Sequence, residues 1–109
     1  MSAEAPRRAP PMRLVVMHDP GPLWQPGRPV FEQAGVQAHI EHYRGLLADG
    51  RLSLGGPFLD ERGGGMMISA VGVDAAELAA FAAADPAVVS GLLTCTVRPW
   101  LVGMDALSR

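Results

Sequence analysis

Residues 51–71 read RLSLGGPFLDERGGGMMISAV, and this stretch decides the fold. Arg51 to Gly55 and Met66 to Val71 are short apolar runs of strand character. Between them, Gly56-Pro57-Phe58 ends the first run, and Asp60 to Gly65 (DERGGG) has the composition of a turn. The two runs therefore form a hairpin. Helical patterns flank it on both sides. Upstream, Val30 to Asp49 predicts a helix: at about 100° per residue, Val36, Ile40, Tyr43 and Leu47 fall in one arc. Leu46 and His39 border that arc, and His42 lies further round, toward solvent. Gly50 is placed to stop the helix. Downstream, Asp74-Ala75-Ala76-Glu77 is a capping box. The helix after it carries Leu78, Phe81 and Ala82 on its inner face and ends near Asp85-Pro86, with Pro86 to Ser90 as a further short turn.

Two strands complete the chain at the outside. Met12 to Met17 (MRLVVM) is the first, ended by His18-Asp19-Pro20-Gly21-Pro22; the residues from there to Pro29 are loop, with Trp24 as the large side chain. Leu92 to Val102 (LLTCTVRPWLV) is the last, and Pro99 places its far end at an edge or bulge. The order β-α-β-β-α-β predicts an α+β, ferredoxin-like domain. It has a four-stranded antiparallel sheet with two helices on one face. Residues 1–11, rich in Pro, Ala and Arg, are expected to be a flexible leader, and 12–109 a single domain.

Composition narrows the function classes. All nine basic residues are Arg, scattered along the chain against 11 acidic ones, for a net charge of −2. A nucleic-acid partner is not expected, because its electrostatic footprint would be clustered and positive. No run approaches the ~20 apolar residues of a membrane span, and the N-terminus lacks the apolar core of a signal peptide. A cytoplasmic location without membrane contact is expected. The single cysteine, Cys95, cannot form an internal disulfide and reads as a small buried hydrophobe.

Both faces of the predicted sheet are apolar. Leu14 and Val16 alternate with Val15 and Met17, and Met66 and Ile68 with Met67 and Val71. Helices cover one face only, so the other calls for a second cover. A homodimer through paired sheets is the expected cover; folding of the Asp19 to Pro29 loop over that face is the alternative.

Few residues carry chemistry. His39 and His42 are three apart on the first helix, but no third-ligand motif accompanies them, so no metal is assigned. His39 borders the buried stripe, where a titratable ring meets low dielectric. Asp85 points inward at a helix C-terminus, two unfavourable placements for a carboxylate. Either it caps the short turn beginning at Pro86, or it pairs with His39; one residue can do both. Phosphate-loop and nucleophile-elbow motifs are absent.

Taken together, His39 followed by Gly50-Arg51-Leu52, then Gly55-Gly56-Pro57-Phe58, Gly63-Gly64, Asp85-Pro86-Ala87-Val88 with Gly91, and Val97-Arg98-Pro99-Trp100 resemble the YciI-like (YCII-related) family. The resemblance spans roughly Met12 to Val102. It implies a dimeric α+β barrel, with His39 and Asp85 as a catalytic pair in a cleft between helix and sheet. Gly56, Pro57 and Phe58 would line that cleft, with Arg98 and Trp100 as neighbours binding substrate. It also implies chemistry on small cyclic organics, of dehydrohalogenation, isomerisation or oxygenation type. The long loop carrying Trp24 has no counterpart in the pattern.

Two functions follow. One is a cofactor-free enzyme, a lyase, isomerase or dehydrohalogenase, in which His39 moves a proton, Asp85 orients it and Arg98 holds a substrate anion. The other is a non-enzymatic homodimer that binds a small molecule or serves structurally, with Asp85 as a cap. A heme or metal protein using His39 or His42 is a third and weaker reading. A hydrogen bond between His39 and Asp85, opening onto a cavity, separates the first from the second.

Overall fold

In the computed structural model, which describes residues 11–106, the chain forms β1 (Met12–His18), a 3-10 turn (Val30–Glu32), α1 (Val36–Ala48), β2 (Leu52–Pro57), β3 (Gly65–Ser69), α2 (Ala75–Ala83), α3 (Pro86–Ser90) and β4 (Thr96–Leu101). The expected leader lies outside the described residues except for Pro11, whose carbonyl accepts the Val102 amide at 3.0 Å. Residues 107–109 lie outside as well.

The sheet has the order β2-β3-β1-β4 with every pairing antiparallel, which is the ferredoxin-like α+β arrangement. Register sorts its side chains into two sets. Val16 stands opposite Met67 and Val97, so these share the face beneath the helices with Leu14. Leu14, Val16, Leu52, Tyr43, Leu46, Leu78 and Ala82 form the main core there. Fully burying a side chain such as Leu46 is worth about 1.5–3 kcal/mol. On the opposite face, Val15 aligns with Ile68 and Arg98, Met17 with Met66 and Thr96, and Arg13 with Trp100. Pro99 sits on β4, an edge strand, where its missing amide costs the sheet no internal bond.

The first helix starts six residues later than its periodicity predicts. Gly35 has φ +94°, a left-handed conformation that ends any helix arriving from Val30. The Gln33 side chain fixes the break: it accepts from the Gln25 amide and donates to the Gln25 and Arg28 carbonyls, all within 2.9 Å. The buried stripe of α1 is also rotated. Val36, Tyr43 and Leu46 are buried, whereas Leu47 is 54% exposed. Downstream, Asp74 caps α2 through the Glu77 amide as expected. Leu92 and Leu93 belong to no strand; Leu93 instead bridges Pro20 in the long loop. That loop lies along residues 91–94, through bonds such as Gly21 N–H to Leu92 O (2.8 Å), and leaves Trp24 on the helix side of the sheet. No helix among the described residues is long and apolar enough to cross a membrane.

Candidate active site

His39 stands one turn into α1, and Asp85 at the junction of α2 and α3. The two helices lie on the same face of the sheet, which brings these side chains together across 46 residues. His39 Nδ1 lies 2.5 Å from Asp85 Oδ2. The carboxylate is fully buried, and its other oxygen accepts the Ala87 amide at 2.9 Å, capping α3 with Pro86 at its first position. Both roles open in the sequence are therefore filled by one residue. Burial pushes the Asp85 carboxyl up, but the bonds from His39 and the Ala87 amide, with the nearby His39 and His18 rings, outweigh it and hold it below the usual carboxylate range. An ionised Asp85 only accepts, so His39 Nδ1 donates, and the lone pair of a neutral His39 resides on Nε2. Among the described residues Nε2 has no hydrogen-bond partner.

Two further groups complete the cluster. His18 ends β1 fully buried, with Nδ1 2.9 Å from the Thr94 carbonyl and Nε2 2.7 Å from the Tyr43 hydroxyl. A carbonyl only accepts, so Nδ1 carries the proton; Nε2 then accepts from the Tyr43 O–H. Burial pushes the His18 imidazole below the usual histidine range, and the His39 ring adds to this, while the Thr94 bond and the Asp85 and Asp19 charges oppose it. Burial, with help from Asp85, pushes the Tyr43 phenol far above its usual range, so it remains protonated. The three rings meet edge to face at 5.1–5.5 Å.

This cluster borders a cavity of about 640 Å³ between α1 and the β2 side of the sheet. Its wall is mainly apolar, interrupted by His18, His39, Tyr43 and Arg44, the usual make-up of a small-molecule site. Of the residues singled out in the sequence, His39 and Asp85 meet, and Gly56 and Pro57 line the same cavity. Phe58 does not reach it; it lines a smaller cleft with Met17, Asp19 and Arg62. Arg98 and Trp100 are on the opposite face of the sheet, by their register with Val15 and Arg13. The arginine lining the cavity is Arg44, whose side chain is largely exposed with Nε 3.4 Å from Glu41 Oε1. Cys95 packs against the main core, and burial raises its thiol pKa, in keeping with a structural role.

The two histidines of α1 do not act together. His42 donates from Nε2 to the Phe81 carbonyl at 2.7 Å and stacks on the Phe81 ring, so it ties α1 to α2. His18, His39 and Asp85 do place three ligand atoms within 4.8 Å of one another. Both His18 nitrogens and both Asp85 oxygens already serve hydrogen bonds, whereas His39 Nε2 does not.

His18, Tyr43, Arg44 and Trp24 are the site residues that sequence reasoning missed. Tyr43 belongs to the buried stripe by periodicity, and its spacing of four from His39 puts both on one helix face. His18 and Trp24 sit in loop-like sequence and carry no comparable signal.

A family model described as YCII-related domain matches residues 12–101. Over 70 residues, 64% of this chain and 80% of the relative, the sequence is 39% identical to a protein of Bacillus subtilis (strain 168) described as uncharacterized protein YjpA. Among solved structures, one match is 5-chloro-2-hydroxyhydroquinone dehydrochlorinase (TftG) from Burkholderia phenoliruptrix AC1100, in complex with 2,5-dihydroxybenzoquinone. The TM-score is 0.60 at 22% identity, covering 83% of this chain and 95% of that one, a likeness of fold.

Proposed function

The chain belongs to the YCII-related domain family, and from that premise we propose that it is a cofactor-free enzyme moving protons on a small cyclic organic substrate. The observation that carries this reading is the His39–Asp85 bond of 2.5 Å at the edge of an apolar cavity. Neutral His39 takes a proton at Nε2, and the Asp85 carboxylate stabilises the imidazolium that forms. The buried, charged acid also fixes the ring's orientation.

A halogenated hydroquinone suits this site, in keeping with the dehydrochlorination for which the structural relative is named. Moving a proton from a ring hydroxyl to the halogen-bearing carbon gives a ketone tautomer. Removing a second hydroxyl proton drives an electron pair through the ring and expels halide. The net loss is one hydrogen halide, so no oxidant or reductant is required, and a single base serves both transfers. Arg44, which lines the cavity, would hold the developing oxyanion on turning away from Glu41, which its Nε now approaches at 3.4 Å.

The working form on this reading is a homodimer. The outer face of the sheet carries Val15, Met17 and Met66, each only half-buried, with no helix of the described residues over them. Pairing with a second copy would cover that face. Arg98 and Trp100 would then lie at the interface.

The test is turnover of a panel of halogenated hydroquinones, followed by absorbance and halide release. His39→Ala and His39→Gln are expected to lower the rate about 10²–10⁴-fold with melting little changed. Unchanged turnover in folded His39→Gln would rule His39 out as the base; no turnover of any ring by the wild type would favour a binding dimer in which Asp85 is a cap alone.

A further inference from the structure

We propose that Trp24 is a specificity-determining wall that selects a flat ring by stacking, an inference that rests on the enzymatic function proposed for the cavity. The cavity's polar groups, His39, Tyr43 and Arg44, could satisfy the hydroxyls of a saturated ring as well as those of an aromatic one. A π surface separates the two by stacking, and Trp24 supplies the largest one on the wall.

The indole is held firmly. Its loop is pinned by Gly21 N–H to Leu92 O (2.8 Å), Leu23 N–H to Gly91 O (2.9 Å) and Thr94 N–H to Asp19 O (2.8 Å). Leu23, next in the loop, turns outward at 61% exposure, while Trp24 is half-buried against Ala87, Leu92 and Leu93. One face of the benzo ring rests on Gly63 of the hairpin, where a Cβ would come 2.5 Å from Trp24 Cζ2, 2.8 Å from Cε2 and 3.2 Å from Cη2, so the opposite face is the one left for a ligand. A wall fixed this way loses little freedom when a ligand arrives. It packs on the same cluster as Ala87, the residue whose amide Asp85 caps.

The experiment uses the full chain labelled with ¹⁵N, whose two tryptophans give two indole signals; Trp24→Leu identifies one of them. Hydroquinone and cyclohexane-1,4-diol are titrated separately, with affinities checked by calorimetry. Hydroquinone is expected to shift the Trp24 signal saturably, leave the Trp100 signal in place, and bind roughly tenfold tighter than the diol. Trp24→Leu is expected to bring the two ligands within about twofold; His39→Gln is expected to keep the preference. Equal affinities in the wild type, no saturable shift at Trp24, or a preference surviving in Trp24→Leu would overturn the inference. The wild-type comparison stands even if that variant does not fold. A preference that depends on Trp24 without turnover of any ring upholds this inference and ends the enzymatic reading; turnover with no dependence on Trp24 does the reverse.

Discussion

Asparagine at position 85 would separate the two tasks of that side chain. Its amide oxygen can go on accepting the Ala87 N–H now at 2.9 Å, and Asn caps helices about as well as Asp. The oxygen that now accepts from His39 Nδ1 becomes an NH₂ donor. His39 would answer by turning a lone pair to that donor and carrying its proton on Nε2, which removes the base from the nitrogen left for substrate. The imidazolium would also lose its counter-charge. A hydrogen bond to a charged group is worth about 1.5–3 kcal/mol, or roughly 10- to 100-fold in rate, and the wrong tautomer adds to this. The total expected loss in turnover is about 10²–10⁴-fold. Stability gives a second readout. A carboxyl held below its ordinary range favours the folded chain above pH ~4 and loses that favour as the pH falls through the depressed value. Asp85→Asn should lack that acid-side decline and be less stable than the wild type at neutral pH. Long-range ¹⁵N–¹H spectra of His39 report the tautomer with no substrate at all. If the variant keeps the proton on Nδ1, or turns over within a few-fold of the wild type, the orienting role of Asp85 is refuted.

His18 should make stability depend on pH in a separate window. Its folded-state pKa is lowered by burial, so its contribution is complete above pH ~6.5 and declines as the pH falls below that. Urea unfolding on either side of that pH should show a decline in the wild type that His18→Gln lacks; equal slopes would contradict a neutral buried ring. Met66→Arg places a charge on the outer sheet face, at a half-buried position, and should convert the proposed dimer to a folded monomer by light scattering. A dimer that persists in this variant would place the interface elsewhere.

The elements were legible where local signals agreed. The Asp74 cap, the Gly50 stop and the Asp85-Pro86 junction appear where their residue types demand. The start of α1 was not, because Val30 and Phe31 continue an apolar period that only the Gln33 bonds and the Gly35 backbone interrupt. Helical angle alone directs His42 to solvent, because it cannot foresee Phe81 of another helix lying against that ring. The His39–Asp85 pair could be anticipated since each residue is in tension with its own local surroundings. His18 could not: its burial depends on β1 taking a central place in the sheet and on a tyrosine 25 positions away. Trp24 owes its place to backbone bonds with residues 91–94, and such bonds leave no mark in side-chain identity.

One carboxylate both starts a helix and faces an imidazole, so the two properties cannot drift apart freely. A descendant in which turnover had lapsed would still lose about 0.5–2 kcal/mol on replacing the acid by a residue that cannot cap, such as alanine, so selection for folding alone would retain the acid or another capping residue there. No helix depends on the histidine in the same way. In chains of this shape, an acid without its imidazole would therefore mark a silenced site on an intact scaffold.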